Sequence, residues 1–308
     1  MRVTQSMLSN NMLRNLNTNY GKMSKLQEQI NSGSKISRPS DDPVVAVKGM
    51  QYRVTVDKIE QYQRNMGEAH TWLDSTDESL GLVGDSLHRV KELVVQAAND
   101  TNTTDDRKKI AEEIKQIQEQ FRDIANTKVG ENYIFSGTHT DMPLYIDGVT
   151  GQNPALSDAG KTKPFQLNVF DGVSIQVNSN ASGLFAKVDQ FMGELSTLLS
   201  SGATGSDIGT ALGAEMTDSG STTIPALDAI TNEALVFRAG VGARQNRIEL
   251  MENRLDLQFV NVTKQLSNNE DTDYAKAITE MTTAESIHQA SLSVGSKIIQ
   301  QTLVDFIR

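Results

Sequence analysis

The stretch INSGSKISRPSDDPVVAV, Ile30 to Val47, decides how this chain is built. Helical patterns lie on both sides of it, yet it holds a glycine, two prolines and two adjacent aspartates. Gly33 suits the left-handed position that ends a helix. Pro39 stops the helix from resuming at once. The restart can be read in two ways. Either Asp42 is the N-cap with Pro43 at the first helical position, or Ser40 is the cap and Asp41 and Asp42 fill the first turn. Both place negative charge at the positive end of the helix dipole. An aspartate pair invites a metal, but sequence neighbours with no third ligand and no histidine nearby make a poor cation site. The stretch therefore reads as a hinge and helix cap made by Gly33, Pro39, Ser40, Asp41, Asp42 and Pro43.

Helical spacing extends outward on both sides. Upstream, Leu13, Leu16, Tyr20, Met23, Gln27 and Ile30 recur at steps of 3 and 4. Downstream, one seam keeps the same steps without a break: Tyr52, Thr55, Ile59, Tyr62, Met66, Ala69, Leu73, Thr76, Leu80, Val83, Leu87, Val90, Val94, Ala97. At 1.5 Å per residue this predicts a helix of about 70 Å, packed along its length as in a coiled coil. The segment NDTNTTDD ends it, and its last Thr and Asp residues can cap a following helix with Ile110, Ile114, Ile117, Phe121 and Ile124 on one face. A third long helix begins near Pro225 and carries Val241, Ile248, Met251, Leu255 and Val262. NNEDTD, 268–273, interrupts it. The final helix shows Ile278, Met281, Ile287, Leu292, Val294, Ile298, Ile299, Leu303 and Phe306. These make two adjacent stripes, so burial on more than one side is expected.

The middle differs. From about His139 to Ile224, Gly, Ser, Thr and Asp become frequent and helical periodicity fades. FQLNVFDGVSIQVN alternates as strands do. A three-residue Phe170-Asp171-Gly172 loop with Gly172 left-handed puts Phe165, Leu167, Val169, Val173, Ile175 and Val177 on one face. A two-residue turn splits them, so the first register is preferred. A short helix is expected around Phe185–Leu199. The expected fold is mainly α: long antiparallel helices in a coiled-coil-like bundle formed by both chain ends, with a small β-containing inserted domain. The expected domains are 1–40 with 274–308, a terminal coiled-coil assembly domain; 41–138 with 225–273, a helical rod; and 139–224, a small outer domain.

Composition narrows the function. The 308 residues carry a net charge of −10, which disfavours a nucleic-acid partner, because phosphate binding needs clustered Lys and Arg. There is no cysteine, so neither a disulfide framework nor a thiolate metal site is possible. MRVTQSMLSNNMLRNLN has no uninterrupted apolar run, so it is not an ordinary secretory signal, and no segment approaches 18 consecutive apolar residues, so no membrane insertion is expected. Gly240-x-Gly242 lacks a third glycine and a βαβ setting, and Ser32-x-x-Lys35 lacks a partner motif. His70, His88, His139 and His288 have no ligand spacing. Trp72, beside Leu73 of the seam, reads as a core or interface anchor. No convergent polar constellation suggests an enzyme or a cofactor.

Several of these segments share a family pattern. INSGSKISRPSDDPVVAV resembles the joint of the bacterial flagellins and their relatives. LHRVKELVVQAAND (Leu87–Asp100), VGARQNRIE (Val241–Glu249) and LSNNEDTDYAKAITEM (Leu266–Met281) resemble further segments of that family, in the family's order. About two-thirds of the chain is covered. The opening MRVTQSM, the form RPSDDPVVAV and GENYIFSGTHTDMPLY (Gly130–Tyr145) are most similar to the hook–filament junction members; the ending TLVDFIR departs from the usual flagellin ending.

The resemblance implies a secreted structural protein of the flagellum. It implies passage through the flagellar type III export channel with an export chaperone of the FlgN type. It further implies a ring of copies between the hook-associated protein FlgK and the first flagellin. Terminal helices in such proteins form an inner coiled coil that folds against neighbouring subunits. The residues expected to line that assembly interface are Leu13, Leu16, Tyr20, Met23, Ile30, Ile287, Leu292, Val294, Ile298, Ile299, Leu303 and Phe306.

Overall fold

The computed structural model describes residues 5–299 apart from 100, 147–150, 158–159, 162, 179, 202, 215 and 218–222. It is mainly helical. The helices are α1 (Gln5–Ser32), α2 (Pro43–Ala97), α3 (Thr104–Ala125), α4 (Ser182–Ser200), α5 (Gly205–Gly213), α6 (Leu227–Glu270) and α7 (Tyr274–Ile299). Three antiparallel strand pairs are short: β1 (Lys128–Val129) with β2 (Asn132–Tyr133), β3 (Gln166–Phe170) with β4 (Val173–Gln176), and β5 (Met216–Thr217) with β6 (Thr223–Ile224). The chain divides into two compact units, one within 1–58 and 257–308, the other spanning 59–256.

In the 59–256 unit the α2 seam forms the spine. From Ile59 to Ala97 every residue of the predicted 3/4 series is buried except half-buried Tyr62. On α6 the buried positions are Leu227, Ile230, Ala234, Val241, Ile248 and Leu255, again at heptad spacing. Unbroken heptads keep one face of each helix in contact along its length. The salt link between Arg238 and Asp77 (2.9 and 3.1 Å) ties α6 to α2 at the surface, where such a pair adds little.

Helix α3 starts where NDTNTTDD predicts. Thr103 is its N-cap: the Asp106 backbone N–H donates to Thr103 Oγ1, and the Asp106 carboxylate accepts from the Thr103 backbone N–H. This capping box satisfies two otherwise orphan donors. Ile110, Ile114, Ile117, Phe121 and Ile124 are all buried, and α3 packs against α4. Helix α4 begins three residues before the predicted Phe185, and Phe185 meets Phe135 edge-on, centroids 4.9 Å apart.

The β3–β4 hairpin keeps the preferred register: Leu167 pairs with Ile175 and Gln166 with Gln176. Near the turn the register shifts between Asn168 and Phe170, and Phe170 pairs directly with Val173 across Asp171-Gly172, with Gly172 left-handed at φ 73°. Val169, Ile175 and Val177 are buried, Leu167 and Val173 half-buried, and Phe165 stays exposed. Its tip is tied to two helices. Tyr62 Oη donates to Asp171 Oδ1 (2.9 Å), Asn65 donates to the Asn168 carbonyl (2.7 Å), and the Arg254 guanidinium lies over the Phe170 ring at 4.5 Å.

Candidate assembly surface

The unit within 1–58 and 257–308 holds the two ends of the described chain. Helices α1 and α7 run antiparallel: Met12 reaches Gly295, the rings of Tyr20 and His288 lie 6.3 Å apart, and Gly33 backs onto Tyr274. The side chains that α1 turns toward this pairing are the half-buried ones: Ser9, Met12, Leu16, Asn19, Met23, Leu26 and Ile30, at steps of 3 and 4 throughout. On α7 the matching series is Ala277, Met281, Ala284, His288, Ser291 and Gly295. Small residues recur on the α7 side, so the helix backbones can approach closely. At Gly295 the end of the Met12 side chain occupies the space that a β-carbon would take.

Leu16, Met23 and Ile30 lie on the hairpin seam, while Leu13 and Tyr20 are 51% and 62% exposed, with the Tyr20 ring flanking the seam beside His288. The expected burial of α7 on more than one side is corrected: among the described residues its side chains are covered on one side only within the chain. Ile287, Leu292 and Val294 are 49%, 49% and 56% exposed, and Tyr274 and Ile278 are equally open. The physical reason is that Ala, Ser and Gly serve the seam, which leaves the large apolar residues on the other faces. The side chains of Ile298 and Ile299, and all of Leu303 and Phe306, lie outside the described residues.

Beside the seam, Leu8, Met12, Ile287 and Val294 border an open groove of about 410 Å³. A second apolar stripe, not anticipated from the sequence, runs along the start of α2: Val44, Val47, Met50 and Val54 are all exposed. Its signal was present in VVAVKGMQYRV as apolar positions off the main seam. Leu257 and Val260 on α6 are exposed in the same unit.

Both helix breaks meet at one place. Gly33 ends α1 in the left-handed conformation, φ 71°, and its N–H donates to the Gln29 carbonyl. Asp42 Oδ1 accepts from the backbone N–H groups of Val44 and Val45 (3.0 and 3.1 Å), so Asp42 is the cap of α2, with Pro43 first in the helix. Ser40 does not cap. Asp41 braces the loop instead. It accepts from the Arg38 N–H at 3.1 Å and faces Lys25 at 3.6 Å. The Arg38 N–H, with the Lys25 charge adding to it, holds the Asp41 carboxyl below the ordinary carboxylate value.

The second break, Asp271–Asp273, clasps the first. Ser34 and Asp271 form an isolated antiparallel bridge. The Thr272 N–H donates to the Gly33 carbonyl (2.8 Å), and the Lys35 N–H donates to the Glu270 carbonyl (2.6 Å). Lys35 Nζ adds a bond to the Asn268 carbonyl (2.6 Å), and Arg53 pairs with Glu270. Asp273 then accepts from the Lys276 N–H (3.2 Å) to start α7. The sequence marks both breaks but not their pairing.

Among the described residues no group of three His, Cys, Asp or Glu could hold a metal, and no helix is long and apolar enough to cross a membrane.

Comparison with known proteins agrees with this architecture. Residues 3–140 match the family description "Bacterial flagellin N-terminal helical region", and residues 224–307 match "Bacterial flagellin C-terminal helical region". A flagellin of Halalkalibacterium halodurans is 26% identical over 304 residues, covering 98% of this chain and 97% of that one. Flagellar hook-associated protein 3 of Escherichia coli is 24% identical over 308 residues, covering 94% and 95%. A solved structure from Vibrio parahaemolyticus, assigned as a flagellar hook-associated protein, superposes with a TM-score of 0.63 at 21% identity, over 75% of this chain and 100% of the other. That last likeness is one of fold.

Proposed function

Since the chain belongs to the bacterial flagellin family, structural proteins of the extracellular flagellum and not enzymes, we propose that it forms the hook–filament junction in the manner of FlgL. In this reading copies of the chain form a ring that adds onto FlgK and presents a surface on which flagellin starts to polymerise. The subunit leaves the cell by the flagellar type III route, escorted by a FlgN-type chaperone.

The observation that carries the assembly role is the terminal hairpin. Its own seam is served by half-buried and small side chains, while Leu13, Tyr20, Ile287, Leu292 and Val294 remain about half exposed. Each large apolar side chain is worth roughly 1.5–3 kcal/mol on full burial. Five of them half exposed leave several kcal/mol per subunit to be gained only against neighbours. The junction position is supported by MRVTQSM, RPSDDPVVAV and GENYIFSGTHTDMPLY, and by the full-length likeness to hook-associated protein 3.

A filament subunit is the second reading, favoured by the equally full-length flagellin relative. Immunogold labelling of intact flagella separates the two. A single band at the hook end supports the junction; label along the filament supports a flagellin. Purified protein that polymerises alone into long filaments also overturns the junction reading.

A further inference from the structure

In the 59–256 unit a cleft of about 370 Å³ lies between α2 and the two hairpins β1–β2 and β3–β4. Its walls include Glu68, Thr71 and Trp72 from α2, Asn132 from β2, and Phe165 and Val177 from the second hairpin. Trp72 is the chain's single tryptophan. Its ring and that of Phe165 have centroids 6.5 Å apart and are inclined at 33°. Phe165 is 43% exposed although it shares the buried face of its hairpin. The Trp72 Nε1–H is buried and meets no hydrogen-bond acceptor among the described residues. Glu68 is exposed, and among the described residues no Lys, Arg or His lines the cleft.

We propose that this cleft binds an organic cation carried on an apolar body, such as a quaternary ammonium or the guanidinium of an arginine. Trp72 and Phe165 both line the cleft with centroids 6.5 Å apart, so a cation seated over the face of either ring, within the roughly 6 Å range of that attraction, has the second ring close by. The Glu68 carboxylate supplies the counter-charge at the mouth, and Val177 and the ring bodies take the alkyl part. The chain's net charge of −10 draws cations and repels anions. A carbohydrate or an aliphatic ligand would leave Glu68 without a charged partner.

Because Trp72 is the only tryptophan, its emission reports the cleft directly. The test titrates the full chain with choline chloride at constant ionic strength, and separately with N-acetyl-arginine amide. The neutral control is 3,3-dimethylbutanol, which has the shape of choline without its charge. A saturable change in Trp72 emission with at least one cation, absent with sodium chloride, is expected. Response to choline alone assigns the site to a small quaternary ammonium; response to the arginine derivative, with displacement of choline, assigns it to a protein side chain. Both uphold the cation site. Glu68→Gln should weaken binding by roughly tenfold, the loss of one charge-assisted contact, and Phe165→Leu should weaken it several-fold at an unchanged melting temperature. No saturable response to either cation overturns the proposal. So does equal binding of the neutral alcohol, or unchanged affinity in Glu68→Gln.

Discussion

Replacing Ile287 with aspartate should separate the stability of the monomer from the stability of the assembly. Ile287 is 49% exposed, so only about half of its side chain is buried inside the chain. Full burial of an isoleucine is worth roughly 1.5–3 kcal/mol, so the isolated hairpin loses at most about 0.7–1.5 kcal/mol. The difference in helix propensity between Ile and Asp is small beside that. In an assembly the same change forfeits the other half and also takes a carboxylate out of water, which costs several kcal/mol. The control is Ala284→Asp, one turn away on the half-buried seam facing α1. Amide hydrogen exchange along α1 and α7 of the purified monomer, read beside incorporation into sheared flagella, makes the comparison. Ile287→Asp should leave α1 protection close to normal and abolish incorporation. Ala284→Asp should lose both. Normal incorporation of Ile287→Asp would remove that face from the interface. Equal loss of α1 protection in the two variants would mean Ile287 belongs to the hairpin's own core.

At the joint, Asp42→Ala should destabilise the start of α2 by about 1 kcal/mol, because two backbone N–H groups lose their acceptor, whereas Pro43→Ala should be nearly neutral; thermal melts of the two variants check the order. Gly33→Ala should cost roughly 1–2 kcal/mol from the left-handed φ, with added displacement of the Tyr274 hydroxyl, seen as faster exchange at the Thr272 amide; an unchanged melt and exchange would refute the strain. Acid should loosen three helix-start or joint carboxylates together. Asp41 is held below 3.8 by the Arg38 N–H, Asp106 by the Thr103 hydroxyl and then Lys109, and Asp207 by the Thr204 hydroxyl. Depressed carboxyls stabilise the fold above their unfolded value and lose that contribution as pH falls through the folded one. Carboxyl NMR titrations should therefore give midpoints below 3.8, and Thr103→Ala should move Asp106 back up; midpoints at or above 3.8 would contradict the geometry.

The long helices were legible because their seams are apolar at nearly every step of 3 and 4, from Ile59 to Ala97 and from Leu227 to Leu255. Periodicity of that kind has one physical cause, a face that meets a partner along its length. The seam of the last helix was missed for the opposite reason. Its seam is Ala277, Ala284, Ser291 and Gly295 with Met281 and His288, and small side chains carry no hydrophobic signal even when they sit at the contact. The eye follows Ile287, Leu292 and Val294, which look outward. Helix α5 was overlooked although Thr204 and Asp207 form a capping box visible in TGSD. The pairing of the two joints could not be read, because the Ser34–Asp271 bridge and its neighbours are mostly main-chain bonds and impose no residue type. The aromatic cleft was half visible: Trp72 stood out, but its partner Phe165 comes from a distant hairpin.

The clasp between the joints also sets a schedule. Ser34 bonds to Glu270, 236 positions later. A chain that emerges from one end has α1 in hand long before the segment that fastens it exists. The length of the loop adds little to the cost of closure, about 0.6 kcal/mol for each doubling, but contacts so remote in sequence are slow to form. The α2 and α3 seams can already be collecting neighbours while α1 waits single. Whatever else α1 meets in that interval, an escort or the wall of a conduit, competes with no partner of its own. Only the arrival of Glu270 and Asp271 ends the wait.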